Sequence, residues 1–389
     1  MRVLVAFDKF KDSLSAPDAC NFAAAALREK HRDWQVDLCP LADGGEGFCS
    51  ILTQAAGGQL IGSSVHDPLG DPVQAQIGIV PVARIPAAAR AMLDLPNDAQ
   101  TQRPGATLAV IEMASASGLA LLEPGERDPW QTSTFGTGEL IRTAADLNVA
   151  AVLLGVGGSA TSDLGLGALA ALGLDFTTAR GERVDDPIPA RWREINRIGG
   201  TLAPPVPPIR IACDVTNPLL GPRGAAAVYG PQKGLRPADL PRLDHESARL
   251  GLLLCSHCGR PDTLMDTPGA GAAGGISFGL MTASDARLLP GFELVSAWLD
   301  LENRLAAADI VITGEGRFDD TSLNGKGPGA VAARALALGK RVHVFAGNAT
   351  VAQPPAHLAL HSITPPGVPL EEALRQATLN LTRAVRAAF

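Results

Sequence analysis

Short apolar runs that end on an acid or a glycine cluster recur along this chain, and segments of helical spacing follow them. VLVAF (3–7) stops at Asp8. QVDLC (35–39) leads to Leu41-Ala-Asp43-Gly-Gly-Glu46-Gly47. LAVIEM (108–113) precedes a small-residue loop, and AVLLGV (151–156) precedes GGSATSDLGLG. IRIACDV (209–215) carries Asp214, DIVITGEG (309–316) carries Glu315, and RVHVFAG (341–347) is the last such run. Between them, Ser15-Ala-Pro17-Asp18 reads as a capped helix start, and 136–148 has helical spacing. Continuous apolar strands alternating with helices predict an α/β chain with mostly parallel sheets, covered on both faces. Ligands of such sheets bind beyond the carboxyl ends of the strands. The acids and glycines fall on those ends, so they are read as a site.

A chain of 389 residues predicts two or three domains. With 46% hydrophobic and 19% charged residues it can bury a large core. The net charge of -7 and an aromatic share of 4% disfavour nucleic-acid binding, since phosphate polymers are repelled and stacking platforms are scarce. The first apolar run is too short for a signal-peptide core, and Arg, Pro or Asp interrupts the other runs before membrane-spanning length. The expectation is a cytoplasmic protein with no membrane partner, whose six cysteines are free thiols. Cys255 and Cys258 read as a polar end of a helix over 242–254. The stretch 66–107 is poorly periodic and reads as a crossing or edge excursion, and 203–208 (APPVPP) as a rigid connection.

Asp43 and Glu46, three residues apart beside paired glycines, suit Mg²⁺, and one of them suits proton acceptance. They equally suit capping of the next helix. Gly157, Gly158, Ser159 and Thr161 follow a strand and precede a helix, a setting that can cradle phosphate. The spacing Gly155-x-Gly157-x-x-Ala160, with Asp175 beyond, also fits a dinucleotide fingerprint and an NAD-dependent enzyme. Gly271 and Gly274, in Gly269-Ala-Gly-Ala-Ala-Gly-Gly275, suit a close turn or a nucleotide loop. Asp214 and Asn217, with Lys233 nearby in sequence, can grip a hydroxy acid, or the first two can form Asx turns. Glu315, Arg317, Asp319 and Lys326 can hold a carboxylate or a metal, or line a solvated loop. There is no GxxxxGK[ST], no protein-kinase set and no HExxH.

Taken in order, these stretches resemble the bacterial glycerate kinase family, in its type I, glycerate 2-kinase branch. The matching segments are Phe10-Lys11 with Ser13–Ala16, Ala42–Gly47, Ile111–Ala114 with Ala116–Leu119, and Gly136–Ile141. Gly157–Thr161, Cys213–Leu219, Gly230–Gly234, Gly269–Gly275 and Val311–Gly316 follow. Three departures stand out. Lys9 and Asp12 flank Phe10-Lys11 where the family usually has Ser and Gly, Leu164 stands where a glycine is usual, and 81–106 is longer than in typical members.

The resemblance implies two unlike α/β domains, one flavodoxin-like with a parallel sheet (1–66 and 284–389) and one restriction-enzyme-like core (67–283), with the site in the interdomain cleft. It implies ATP, Mg²⁺ and D-glycerate, and 2-phosphoglycerate as product. The alternatives are 3-phosphoglycerate, an NAD-dependent oxidoreductase or a non-catalytic metabolite-binding regulator. In this reading Asp43 or Asp214 is the base and Lys11 offsets γ-phosphate charge. Glu46 or Glu315 holds the metal, and Gly157, Gly158, Ser159, Thr161, Gly271 and Gly274 meet the nucleotide. Asp8, Asn217, Lys233, Arg317 and Lys326 bind substrate. A homodimer is the expected assembly.

Overall fold

The first apolar run becomes the strand Arg2–Phe7, buried from Val3 onward. It lies between Gln35–Leu38 and Ile310–Gly314, followed outward by Arg341–Ala346 and Leu358–Ser362. All four pairings are parallel. Numbered along the chain, the strand order is 2-1-3-4-5. The connections therefore leave the first and third strands in opposite directions, which opens a crevice at their carboxyl ends. The helix Ala16–Lys30 packs on this sheet, and the Ser15 hydroxyl accepts the Asp18 N–H, as its serine-proline start predicts. A core of Val3, Val5, Phe7, Leu27, Ile312 and Phe345, among others, fills this unit.

The second sheet has six strands, in the order Arg287–Leu289, Ile209–Ala212, Ala151–Gly155, Thr107–Glu112, Pro72–Pro81 and Gln59–His66. The first four are mutually parallel, and the last two join antiparallel. Ala151–Gly155 is buried at every position, the mark of a strand covered on both faces. Two small two-stranded sheets pair Leu174–Thr177 with Arg197–Gly200 and Arg317–Asp319 with Asn348–Thr350.

The structure, a computed structural model, describes residues 1–96, 98–203, 205–323 and 327–389. The chain divides into Met1–Asp43 with Val295–Phe389, and Gly44–Leu294. Residues 44–66 and 284–294 thus fall in the second unit, whereas the sequence division lies at 66 and 283. Of the two readings of 66–107, the edge excursion fits, since Pro72–Pro81 lies next to the edge strand Gln59–His66. The stretch contains the ten-residue strand Pro72–Pro81 and the helix Ala87–Leu93. Val73, Ala75 and Ile77 alternate with exposed Gln74 and Gln76, a period-2 signal diluted by the flanking prolines and alanines. The buried Arg210 guanidinium donates to the Leu93 and Asp94 carbonyls and so closes the end of that helix. The helix Leu240–Cys258 ends with both of its cysteines as free thiols, as are the other four. Pro204, in the expected rigid connection, lies outside the described residues. Among the described residues, no helix is long and apolar enough to cross a membrane.

Candidate active site

The crevice of the first sheet is acidic. Asp8 follows the first strand and Glu315 the third, while Asp43 lies in the loop after Gln35–Leu38. Asp8 is 9% exposed, and its Oδ1 accepts the Lys9 N–H at 2.7 Å. Burial pushes the Asp8 carboxyl up to about 7, and the charges of Asp43 and Glu315 push the same way against Lys9. Burial likewise raises Glu315 to about 7, opposed by the Ser322 hydroxyl and aided by Asp319 and Asp43. Asp43 itself is exposed. Asp8 thus lies within the field of the Asp43 and Glu315 charges, and carboxylate oxygens are hard donors of the kind that suits Mg²⁺. Among the described residues no three such side chains already stand in metal-holding geometry.

Lys11 is exposed on the loop after Asp8. Arg317 is exposed as well, and its Nε lies 3.1 Å from Asp319. Lys326 lies outside the described residues.

Capping does not explain the Asp43–Glu46 pair. The helix begins at Phe48, its N-cap is Gly47 in the left-handed region (φ 91°), and no side chain caps it. Glu46 is exposed and belongs to the second unit.

The second unit centres on a buried lysine. Lys233 is 1% exposed and donates to Ser159 Oγ at 2.9 Å and to the Thr161 carbonyl at 2.5 Å. Burial pulls its ammonium down to about 7, against the charge of Asp163. Asp163 is fully buried and accepts from Thr134 N–H and Oγ1, Gly165 N–H and Gly167 N–H. Its burial raises the carboxyl, and those four donors act in the other direction. Gly158 is exposed with φ 73°, and the buried Thr161 hydroxyl has no partner among the described residues.

Gly274 lies against this network, and Gly271 against Pro218 and Ala225. A Cβ on Gly274 would stand 2.0 Å from the Thr161 carbonyl, and one on Gly271 would stand 2.2 Å from that of Pro218. Both glycines therefore permit backbone-on-backbone packing, the close-turn alternative. Asn217 spends its amide on the Arg223 carbonyl and its Oδ1 on the Tyr229 hydroxyl. Asp214 Oδ2 accepts the Phe292 N–H at 2.7 Å, at the start of the helix Gly291–Trp298.

The dinucleotide alternative is not supported. No helix opens directly after Gly155–Ala160, since the next one begins at Leu166 behind a left-handed Gly165. Asp175 lies in a small antiparallel sheet and not on the next parallel strand.

Sequence reasoning passed over Asp163 and Glu112 as site residues. Glu112 ends the strand Thr107–Glu112, is 9% exposed and accepts the Cys49 N–H at 3.3 Å. Its position at the end of an apolar run was the available signal. The departures from the family pattern have a structural counterpart. Leu164, where a glycine is usual, has φ 58°, and Asp12, in the altered first loop, has φ 61°. Both hold backbone conformations that glycine adopts freely.

Comparison with known proteins identifies the family of the chain. A model of the glycerate kinase family matches residues 3–389. A glycerate kinase of Haemophilus influenzae is 38% identical over 89% of this chain and 86% of its own length. A glycerate 2-kinase of Escherichia coli is 35% identical over 99% of this chain and 96% of its own length. A crystal structure from Salmonella typhimurium LT2, whose own assignment as glycerate kinase 2 is provisional, superposes with a TM-score of 0.72 at 36% identity. It covers 100% of this chain and 97% of that one. With a family match along the whole chain and relatives this similar over nearly all of their length, the chain belongs to the glycerate kinase family, and it is a phosphotransferase with an alcohol group as acceptor.

Proposed function

We propose that this chain transfers the γ-phosphoryl group of ATP to the 2-hydroxyl of D-glycerate, giving 2-phosphoglycerate and ADP. The observation that carries this reading is the acid-rich end of the first sheet, where burial and the charge of Asp43 raise both Asp8 and Glu315. The strand order 2-1-3-4-5 supports a flavodoxin-like reading of that unit. The restriction-enzyme-like reading of the second unit rests on the family resemblance. The 2-position follows the name of the Escherichia coli relative.

Asp8 and Glu315 are the residues that would hold Mg²⁺. Bound there, the ion would offset phosphate charge. Asp43, exposed beside them, accepts the proton of the attacking hydroxyl. The hydroxyl oxygen bonds to the γ-phosphorus, the bond from that phosphorus to the β–γ bridging oxygen breaks, and ADP leaves with the electron pair. Lys11 neutralises part of the charge on the transferring group. Gly158 and Ser159 meet the phosphates, and the unpartnered Thr161 hydroxyl is a further donor. Lys233 sets this loop from beneath, and Gly271 and Gly274 support it through Pro218 and Thr161. Asp214, engaged at a helix start, is the weaker candidate for the base. Asn217 acts by shaping its own turn, and Arg317, held by Asp319, stays outside the cast. Such a division suffices because phosphoryl transfer needs chiefly positioning and electrostatic stabilisation.

A coupled ADP-release assay with D-glycerate, ATP and Mg²⁺ tests the reading, with NMR of the product to fix the hydroxyl. Glycerate-dependent ADP and a 2-phosphorylated product are expected. ADP release indifferent to glycerate would abandon the substrate, and a 3-phosphorylated product would move the position.

A further inference from the structure

On sequence, the glycines after Ala151–Gly155 look like a phosphate cradle. Their contacts are otherwise occupied. The Gly157 N–H donates to the Gly44 carbonyl at 2.9 Å. A Cβ on Gly157 would stand 2.7 Å from both Cα and N of Gly45. A Cβ on Gly155 would stand 2.5 Å from the Gly44 carbonyl oxygen and 2.7 Å from the Phe48 ring. From the other side, a Cβ on Gly44 would approach the Ala212 carbonyl at 3.3 Å, and Gly44 holds φ 92°. The turn at Gly44 and Gly45 is therefore seated on the carboxyl ends of two central strands of the second sheet. It is continued by Phe48, whose N–H bonds the Gly45 carbonyl. Asp43 precedes this turn directly and Glu46 follows it.

We propose that Gly157 is a positioning residue whose backbone latches the turn carrying Asp43 and Glu46, and that it does not contact the phosphates. Gly155 completes the seat, because any side chain at either position would lift the turn. The proposal rests on the reading of Asp43 as proton acceptor given above. A latched turn fixes where the chain enters and leaves the Gly-Gly pair. A shift of about 1 Å in a positioned catalytic group is enough to cost about 10²-fold in rate.

The test compares Gly157→Ala with the unaltered chain by steady-state kinetics with D-glycerate and Mg·ATP, after thermal melts and circular dichroism confirm folding. The latch predicts a kcat about 10²-fold lower with KM for ATP within about threefold, since nucleotide contacts are untouched. A raised KM for ATP with kcat preserved would overturn it in favour of a phosphate cradle. Should the variant not fold, amide hydrogen exchange on the unaltered chain decides. Slow exchange of the Gly157 amide, equal with and without Mg·AMP-PNP, supports the latch. An amide that exchanges fast alone and is protected only by Mg·AMP-PNP overturns it. An unaltered chain that turns over no glycerate would refute the functional reading, while the exchange measurement would still judge the latch.

Discussion

The two sheets treat charge at their strand ends in opposite ways. In the second unit Asp163 is fully buried, yet four donors surround it, and Lys233 has two acceptors and a nearby negative charge. In the first unit Asp8 and Glu315 are drawn up to about 7 by burial and by other acids. The difference teaches which part is scaffold and which awaits a ligand. A satisfied buried network fixes a shape, whereas half-buried or buried carboxyls raised by burial and by neighbouring acids are relieved by a proton or a cation.

The sharpest way to break this contrast is Asp43→Asn. Loss of the proposed base should lower kcat by about 10²- to 10⁴-fold while the melting temperature barely moves, because Asp43 is exposed. Normal turnover in that variant would transfer the role to another group.

Asp163→Asn probes the opposite pole. An amide NH₂ would face N–H donors that now meet a carboxylate, and the Lys233 ammonium would lose its nearest counter-charge. Destabilisation of about 3–5 kcal/mol is expected in urea melts. A loss under about 1 kcal/mol would show that the network is not the scaffold described.

Leu164→Gly sets two effects against each other. Glycine would release the left-handed strain at φ 58°, worth about 1–2 kcal/mol. It would also remove a side chain that is 1% exposed in the core, at a cost of about 2–5 kcal/mol. The larger second effect predicts net destabilisation of about 1–3 kcal/mol, and a more stable variant would mean that the strain had been understated.

The smallest effect is thermal and pH-dependent. With carboxyls near 7 when folded and near 4 when unfolded, the folded protein binds the extra protons between those values. In EDTA, stability contributed by Asp8 and Glu315 is therefore full below about pH 4 and lost as pH rises through about 7. Asp8→Asn should flatten that slope, raise the melting temperature at pH 8 by a few degrees and blunt the further stabilisation by Mg²⁺. An unchanged slope, followed by thermal melts from pH 4 to 8, would mean that the acids do not interact as described.

Much of the α/β frame was legible because a strand buried on both faces must be apolar throughout. Ala151–Gly155, Ile209–Ala212, Ile310–Gly314 and Arg341–Ala346 lie within their expected runs, and Arg2–Phe7 exceeds its run by one residue. The hairpin of Gln59–His66 and Pro72–Pro81 was not legible, because half of each strand faces solvent and carries polar residues. The sequence marked Asp8, Asp43 and Glu315 as acids at the ends of apolar runs or in the loops after them, Gly157 as part of a phosphate cradle and Lys233 as a substrate-binding residue.

By itself the sequence determined the family, the alternation of strands and helices, and the placement of acids and glycines on strand ends, since these depend on local pattern and residue order. Only the tertiary structure decided that Gly157 meets Gly44, that Lys233 lies under Ser159 and Thr161, and that Asp8 and Glu315 share an electrostatic environment. Those are contacts across 72 to 307 residues of chain. Strand order and burial set them, and no local pattern encodes either.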